Sequence, residues 1–241
     1  MGLLLYKQQT GAFLSNSVKE QLEASLERWG SAQLIVPSSD AVLLVKRQLG
    51  AIQELSVGVN VSTFDEWVRD QWKLYGSSDR LLSTTLRKVF FQQILDGTSA
   101  DELGTLTTSK GTVELLSKLA PEYLTELDQI MASGQLSAGQ MSACKVLERY
   151  KMLLEEKSYV EMCQCLDYLL QSIPTQGPAL IFSRVEDLSE ARLKFVRRLS
   201  QKRDVTFSLY VPEGPAGYAA EQQLELVGGP GCDCRVDVEL A

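Results

Sequence analysis

The sequence predicts an α/β protein, a parallel sheet with helices on both faces, interrupted by an inserted all-α helical domain. Three observations predict it. Short apolar runs alternate with helical segments up to Tyr75. A long stretch follows in which apolar residues recur only at helical spacing, and the strand–helix alternation then resumes.

Each element has a local reason. "GLLLY" is a short apolar run and reads as a strand, followed by a helix over Ser15–Trp29. "AQLIVPS" is a buried strand and Asp40–Leu49 a helix; "VGVNVSTF" is β-branched, and Asp65–Tyr75 is helical. Ser38, Ser39 and Asp40, and Ser62 and Thr63, stand where N-caps belong, with side-chain oxygens to accept from unpaired backbone N–H groups. From Leu81 to Ile173 no strand candidate stands out. Leu82, Leu86, Val89, Phe90 and Ile94 follow helical spacing, Pro121 marks a break or a first helical turn, and two helices meet near Lys157 and Ser158. "PALIF" then returns as a buried strand, Ser189–Arg203 as a helix and "DVTFSLYV" as a strand. "PEGPAG" is a loop, 221–226 is ambiguous, "GGPG" is a sharp turn and "CRVDVEL" a last strand. The expected division is 1–78 and 175–241 for the α/β part and 79–174 for the insertion. With Ala241 at the end of a strand candidate, the expectation is a piece of a larger protein.

Composition narrows the chemistry. The 241 residues carry a net charge of −7 and no histidine. An acidic chain contacts nucleic acid only through a local basic patch. The missing histidine excludes Ser-His-Asp and Cys-His catalysis within this chain, and histidine metal ligation. Cys144, Cys163, Cys165, Cys232 and Cys234 are odd in number and sparse, which reads as reduced thiols in a cytoplasmic protein. "CQC" and "CDC" make a soft-metal site conceivable without supplying the usual CxxC spacing, so no metal is expected. No run approaches a membrane span, "GLLLY" lacks a basic region before it, and Tyr6 stands where myristoylation requires Ser or Thr.

The first strand–turn–helix has the outline of a phosphate-binding loop. Such a loop needs glycines to wrap the phosphates, a lysine to neutralise them and a hydroxyl for Mg²⁺. In "KQQTGAFLSNS" Gly11 is the only glycine, no Gly-Lys pair follows, and Lys19 lies too far into the helix. Ser15 and Ser17 remain as helix caps or ligands for a stray anion. An Mg²⁺-binding acid belongs directly after a buried strand, but "ALIF" is followed by Ser183 and Arg184, with Glu186 and Asp187 only later, where a helix dipole favours them. No nucleotide cofactor is therefore expected, and Gly11 marks only a degenerate phosphate-loop position. Arg192, Lys194, Arg197, Arg198, Lys202 and Arg203 form the one basic cluster, read either as a solvated helix face or as a phosphate-contacting one. Trp67 and Trp72 follow helical spacing and suit core packing; Phe64, directly after the third strand, is the aromatic best placed to meet a ligand.

The order of these pieces resembles the N-terminal helicase-like region of AddB/RexB-type subunits of bacterial ATP-dependent helicase–nucleases, relatives of UvrD/RecB helicases. The matching stretches are "LIVPSSDAVLLVKRQL", "VNVSTFDEWV", "RLLSTTLRKVFFQQIL", "LERYKMLLEEKSYVEMCQCLDYLLQSI" and "ALIFSRVEDLSEARLKFVRRLSQKRDVTFSLYVPEG", in the same order over nearly the whole chain. The resemblance implies a RecA-like (P-loop NTPase-like) domain with a helical insertion. It also implies a DNA-break-repair complex with an AddA-like helicase–nuclease subunit as partner, and a nuclease domain beyond residue 241. In many members this region has lost motor activity and contacts DNA. Ser38, Ser39, Thr63 and Phe64 then become DNA-contact candidates with Arg197 and Arg198, although Asp65 and Glu66 oppose tight phosphate contact. The sequence departs from the family pattern after "ALIF", where Gly-Phe and a Thr-Pro-x-Glu helix start are replaced by Arg184-Val185 and Ser189-Glu190-Ala191-Arg192. The functional expectation is a non-motor module with no catalytic site of its own that binds DNA weakly. The alternative is a protein-interaction scaffold without DNA contact. A carboxylate-only enzyme is a third class, for which no paired acids stand out.

Overall fold

The structure is a computed structural model that describes residues 2–8, 11–55, 57–99, 103, 104, 106–212, 217, 218, 222, 225, 226, 228 and the backbone of 234–237. The expected "PEGPAG" loop, the 221–226 segment, the "GGPG" turn and the "CDC" pair lie wholly or partly outside these residues. In chain order the elements are β1 (Leu3–Gln8), α1 (Asn16–Trp29), β2 (Ala32–Ile35), α2 (Ser39–Gly50), β3 (Val59–Ser62), α3 (Phe64–Tyr75), β4 (Arg80–Leu81), α4 (Thr84–Asp96), α5 (Lys110–Tyr123), α6 (Leu127–Ala132), α7 (Ala138–Glu156), β5 (Tyr159–Val160), α8 (Met162–Ser172), β6 (Leu180–Ser183), α9 (Glu190–Ser200), β7 (Val205–Tyr210) and β8 (Cys234–Asp237). They fall into two compact units, Met1–Gln71 with Ile173–Ala241, and Trp72–Ser172. Among the described residues no helix is long and apolar enough to cross a membrane.

The first unit is α/β. Its sheet has the order β3-β2-β6-β7-β1-β8, with every pairing parallel. Strands covered on both faces need apolar residues at successive positions, and "LIFS" of β6 is buried at all four. Ile181 faces a core built by Val18 and Leu22 of α1, Val42, Val45 and Leu49 of α2, and Leu34 and Val61 of the sheet. Its neighbour Phe182 points the other way, as strand period requires. The Phe182 ring stacks on Phe207 of β7 with centroids 4.3 Å apart, and lies 5.9 Å from Phe64 of α3. Helices α1 and α2 thus cover one face, and α3 and α9 the other. Because the strands are parallel, Gln8, Ile35, Ser62, Ser183 and Tyr210 end on one edge, where the crossover loops converge.

The second unit is mainly helical, and its helices begin where the sequence offers caps. Ser83 accepts from Leu86 N at 3.3 Å and Ser109 from Thr112 N at 3.2 Å, while Ser137 and Gln140 form a reciprocal capping box. One departure from the sequence reading lies here: β4 and β5 form a parallel ladder, Arg80 beside Tyr159 and Leu81 beside Val160. Two residues per strand are too few to carry a period-2 pattern, so the pairing leaves no sequence signal. Pro121 neither breaks a helix nor starts one; it lies in the last turn of α5.

A buried ion pair joins the helices of this unit. Glu161 is fully buried and takes two hydrogen bonds from Arg87 of α4, Nε to Oε1 at 2.6 Å and Nη2 to Oε2 at 2.8 Å. Tyr150 of α7 donates its hydroxyl to the same carboxylate, which also accepts from Met162 N at the start of α8. Pro121 has no N–H, so the carbonyl of Ser117 four residues earlier lacks its helical donor. Arg87 Nη1 supplies one at 3.4 Å. Burial and the Glu161 carboxylate hold the Tyr150 hydroxyl protonated well above the ordinary tyrosine range.

Removing one partner strands the other charge in the core. Arg87→Leu or Glu161→Leu alone is expected to lower stability by about 3–5 kcal/mol, with the double variant recovering much of it. Urea unfolding followed by circular dichroism measures this; single variants within experimental error of the parent would show that the pair does not bear on stability.

Candidate functional site

The carboxyl edge of the sheet is where the sequence places its candidate residues, and the loop after β1 is its centre. Gln8 ends β1 with its side chain 1% exposed. Its Nε2 donates to Ser208 Oγ on β7 at 2.7 Å and to Ser15 Oγ at 3.2 Å. Ser15 and Ser17 hydroxyls are 3.2 Å apart, and Ser17 reaches Ser208 at 3.4 Å. These groups lie at the start of α1, where a phosphate-binding loop would present its hydroxyl and free N–H groups, yet they bond one another. Ser15 occupies the N-cap backbone position of α1 without capping it, because its oxygen is turned to Gln8 and Ser17. The expectation that Ser15 caps this helix through its side chain is thereby corrected.

The second strand of interest, β6, contributes Ser183 and Arg184. Ser183 is fully buried and donates to the carbonyl of Phe13 at 2.6 Å. Arg184 holds a left-handed backbone conformation, φ 56°, uncommon for a residue with a side chain. Its N–H donates to Ser208 O at 2.8 Å, which continues the ladder to β7. Its guanidinium lies over the Phe13 ring, 4.8 Å from the centroid, and Nη1 donates to the carbonyl of Gly11. A cation from the β6 end therefore covers the turn after β1. Glu186 and Asp187 are exposed and precede α9.

Gly11 has no left-handed backbone, and a Cβ placed there would meet the Arg184 guanidinium at 3.5 Å, an ordinary contact. In a phosphate loop, glycine is needed because backbone and phosphate approach closely. Among the described residues, nothing in this turn requires it.

The remaining candidates are largely structural. Ser38 is the N-cap of α2 and accepts from Ala41 N at 3.2 Å; Ser39, the first residue of that helix, is exposed. Thr63 and Glu66 cap α3 reciprocally, Thr63 N to Glu66 Oε2 at 2.9 Å and Glu66 N to Thr63 Oγ1 at 3.3 Å. Phe64 is 4% exposed, packed on Trp67, Phe182 and Phe195. Its ring is a core element, without a free face for a base. Arg192, at 2.8 Å from Asp65 and 5.7 Å above the Phe64 ring, is also committed to packing α9 against α3. Arg197 and Arg198 lie exposed in the last turn of α9, where cations suit the helix dipole. Trp67 is 2% exposed, and Trp72 donates Nε1 to the carbonyl of Asp79 at 2.9 Å.

In the sequence Arg184 stands out as a departure from an expected acid and from Gly-Phe, while Gln8 and Ser208 do not stand out. The available signal was a polar residue closing an apolar run, "LLLYKQ", and a serine inside "VTFSLY".

Among the described residues no three His, Cys, Asp or Glu side chains gather as a metal site. Cys144, Cys163 and Cys165 are free and buried. Burial pushes the Cys163 thiol up to about 11 and the Cys165 thiol up to about 12, so neither is a nucleophilic thiolate near neutrality. No protein-family model matches this chain, and no curated protein matches it.

Two outcomes test this description. Gly11→Ala is expected to change stability by less than about 1 kcal/mol, measured by thermal unfolding; a larger loss would mean that the turn needs glycine. The buried thiols predict an alkaline limit. Above their ordinary value of 9.0 the unfolded chain releases protons that the folded unit retains, so stability is full below that pH and falls as pH rises through about 11 and 12. Urea midpoints across that range, with iodoacetamide labelling of Cys163 and Cys165 read by mass spectrometry, measure it. Rapid labelling of the native protein at neutral pH would contradict the burial.

Proposed function

We propose that the chain is a helicase-like module without motor activity, from a DNA double-strand-break repair helicase–nuclease of the AddB/RexB type, contributing DNA contact and subunit assembly. The α/β unit is read as a RecA-like domain and residues 79–174 as its inserted helical domain. The observation that carries this reading is at β1. It lies inside an all-parallel sheet between β7 and β8, with the turn to α1 at the carboxyl edge, where α/β proteins bind nucleotides. At the start of α1 the Ser15 hydroxyl is bonded to Gln8 and to Ser17, and Arg184 lies against Gly11 and Phe13. The position suits a nucleotide, while its groups are engaged within the protein.

Exposed Arg197 and Arg198 support DNA contact. A second reading, a scaffold for an AddA-like subunit with no DNA contact, is favoured by the burial of Phe64 and by the capping roles of Ser38 and Thr63.

A fluorescent ATP analogue with Mg²⁺ should give no saturable binding at micromolar concentration; saturable, Mg²⁺-dependent binding would overturn the non-motor reading. Single-stranded DNA should bind weakly and more weakly with salt. Arg197→Glu with Arg198→Glu should remove about 1.4 from the salt slope if each arginine contacts one phosphate. Co-purification of an AddA-like subunit unaffected by that double variant, with no DNA binding even at low salt, would leave the scaffold reading.

A further inference from the structure

We infer that Arg184 is a built-in clasp that holds residues 11–13, ahead of α1, in one conformation without a ligand. The inference rests on the reading that this turn is not an ATP site, and extends it to how the turn is kept ordered.

Three contacts converge on the turn from the end of β6. Ser183 bonds the carbonyl of Phe13, Arg184 Nη1 bonds the carbonyl of Gly11, and the guanidinium lies 4.8 Å above the Phe13 ring. Ser183, the last residue of β6, and Arg184 after it thus grip the carbonyls of Phe13 and Gly11 and the Phe13 ring. The grip needs Arg184 to turn sharply out of the strand, which its left-handed backbone provides at φ 56°. Such a conformation persists in a residue with a side chain only where the surroundings enforce it. Here the side-chain contacts with Gly11 and Phe13 act together with the backbone bond to Ser208 O. Its Nε is buried and bonds nothing, so the arginine is not placed to satisfy all its donors. It is placed to reach the turn.

In a loop that depends on nucleotide for its order, phosphate oxygens draw the backbone in and their departure releases it. Here a tethered guanidinium stands over the backbone from the end of β6, two strands away, and it cannot diffuse away. Residues 11–13 are then fixed in one state that does not follow the nucleotide supply.

Chymotrypsin cleavage after Phe13 tests this on the full chain, because cleavage of a packed turn reports its local opening. Arg184→Gly removes the side chain and leaves a residue that adopts the left-handed backbone without cost. It should raise cleavage after Phe13 at least about tenfold, while cleavage at the core residues Phe182 and Phe207 stays at the parent rate. Arg184→Lys, which keeps a cation over the ring but loses the fork, should fall between. Equal cleavage at Phe13 in parent and Arg184→Gly would overturn the clasp. So would a parallel rise at Phe182 and Phe207, which would make Arg184 a general stability residue. Mg-ATP added to the parent should leave cleavage unchanged. Protection by Mg-ATP would refute the non-motor reading, whereas the clasp is judged on the variants alone.

Discussion

Gln8 places an amide at the end of a central strand, 1% exposed, and the carboxyl edge of the α/β unit is arranged around keeping it bonded. An unpaired buried amide costs about 1–3 kcal/mol, a large share of a domain's net stability. Ser208 on the neighbouring strand takes one of its protons at 2.7 Å and Ser15 at the start of α1 takes the other at 3.2 Å. That pairing adds to the backbone ladder in fixing the register of β1 against β7, since a shift by one residue would turn Gln8 to the other face. It also sets where α1 begins, and hence where the turn carrying Gly11 and Phe13 must run. The hydroxyls thus engaged are those that a nucleotide-binding turn would leave open.

The helical unit solves the same problem with charge. Glu161 stands at the junction of β5 and α8, where its carboxylate is fully buried. One arginine from α4 and one tyrosine from α7 meet it, and the same arginine reaches the carbonyl that Pro121 leaves without a donor in α5. Four helices are therefore specified relative to one another by one group. An apolar core of Phe91, Leu95, Leu116 and Leu147 would hold them together but would tolerate sliding. A bidentate pair does not, because its geometry is planar and fixed.

Much of the fold is legible in the sequence because it rests on local patterns. The apolar runs of β1, β2, β3, β6 and β7 announce a parallel sheet, and Ser38 before α2 and Thr63 before α3 announce helix starts. What stays hidden is set by residues far apart in the chain. Arg87 and Glu161 are 74 positions apart and individually resemble any other charged pair. Phe64 shows the same limit. Next to a strand end it reads as a loop aromatic, and only the positions of Phe182 and Phe195, more than a hundred residues later, bury it. Arg184 was visible as a departure from an expected acid, but its contact with Gly11 lies across 173 positions.

The strand order has a consequence for how the chain comes to be folded. β1 is made first, but it pairs with β7 and β8, and Gln8 finds Ser208 only 200 positions later. At a synthesis rate of about 5–20 residues per second, the first strand waits on the order of 10–40 s for its neighbour. During that interval β2 and β3 can pair, and Trp72–Ser172 can complete its own contacts, since all its elements are contiguous in sequence. The opening "LLLY" meanwhile remains an unpaired apolar edge, a segment for a chaperone to shield. β1, although it precedes every other strand in the chain, thus joins the sheet only after β7 is made.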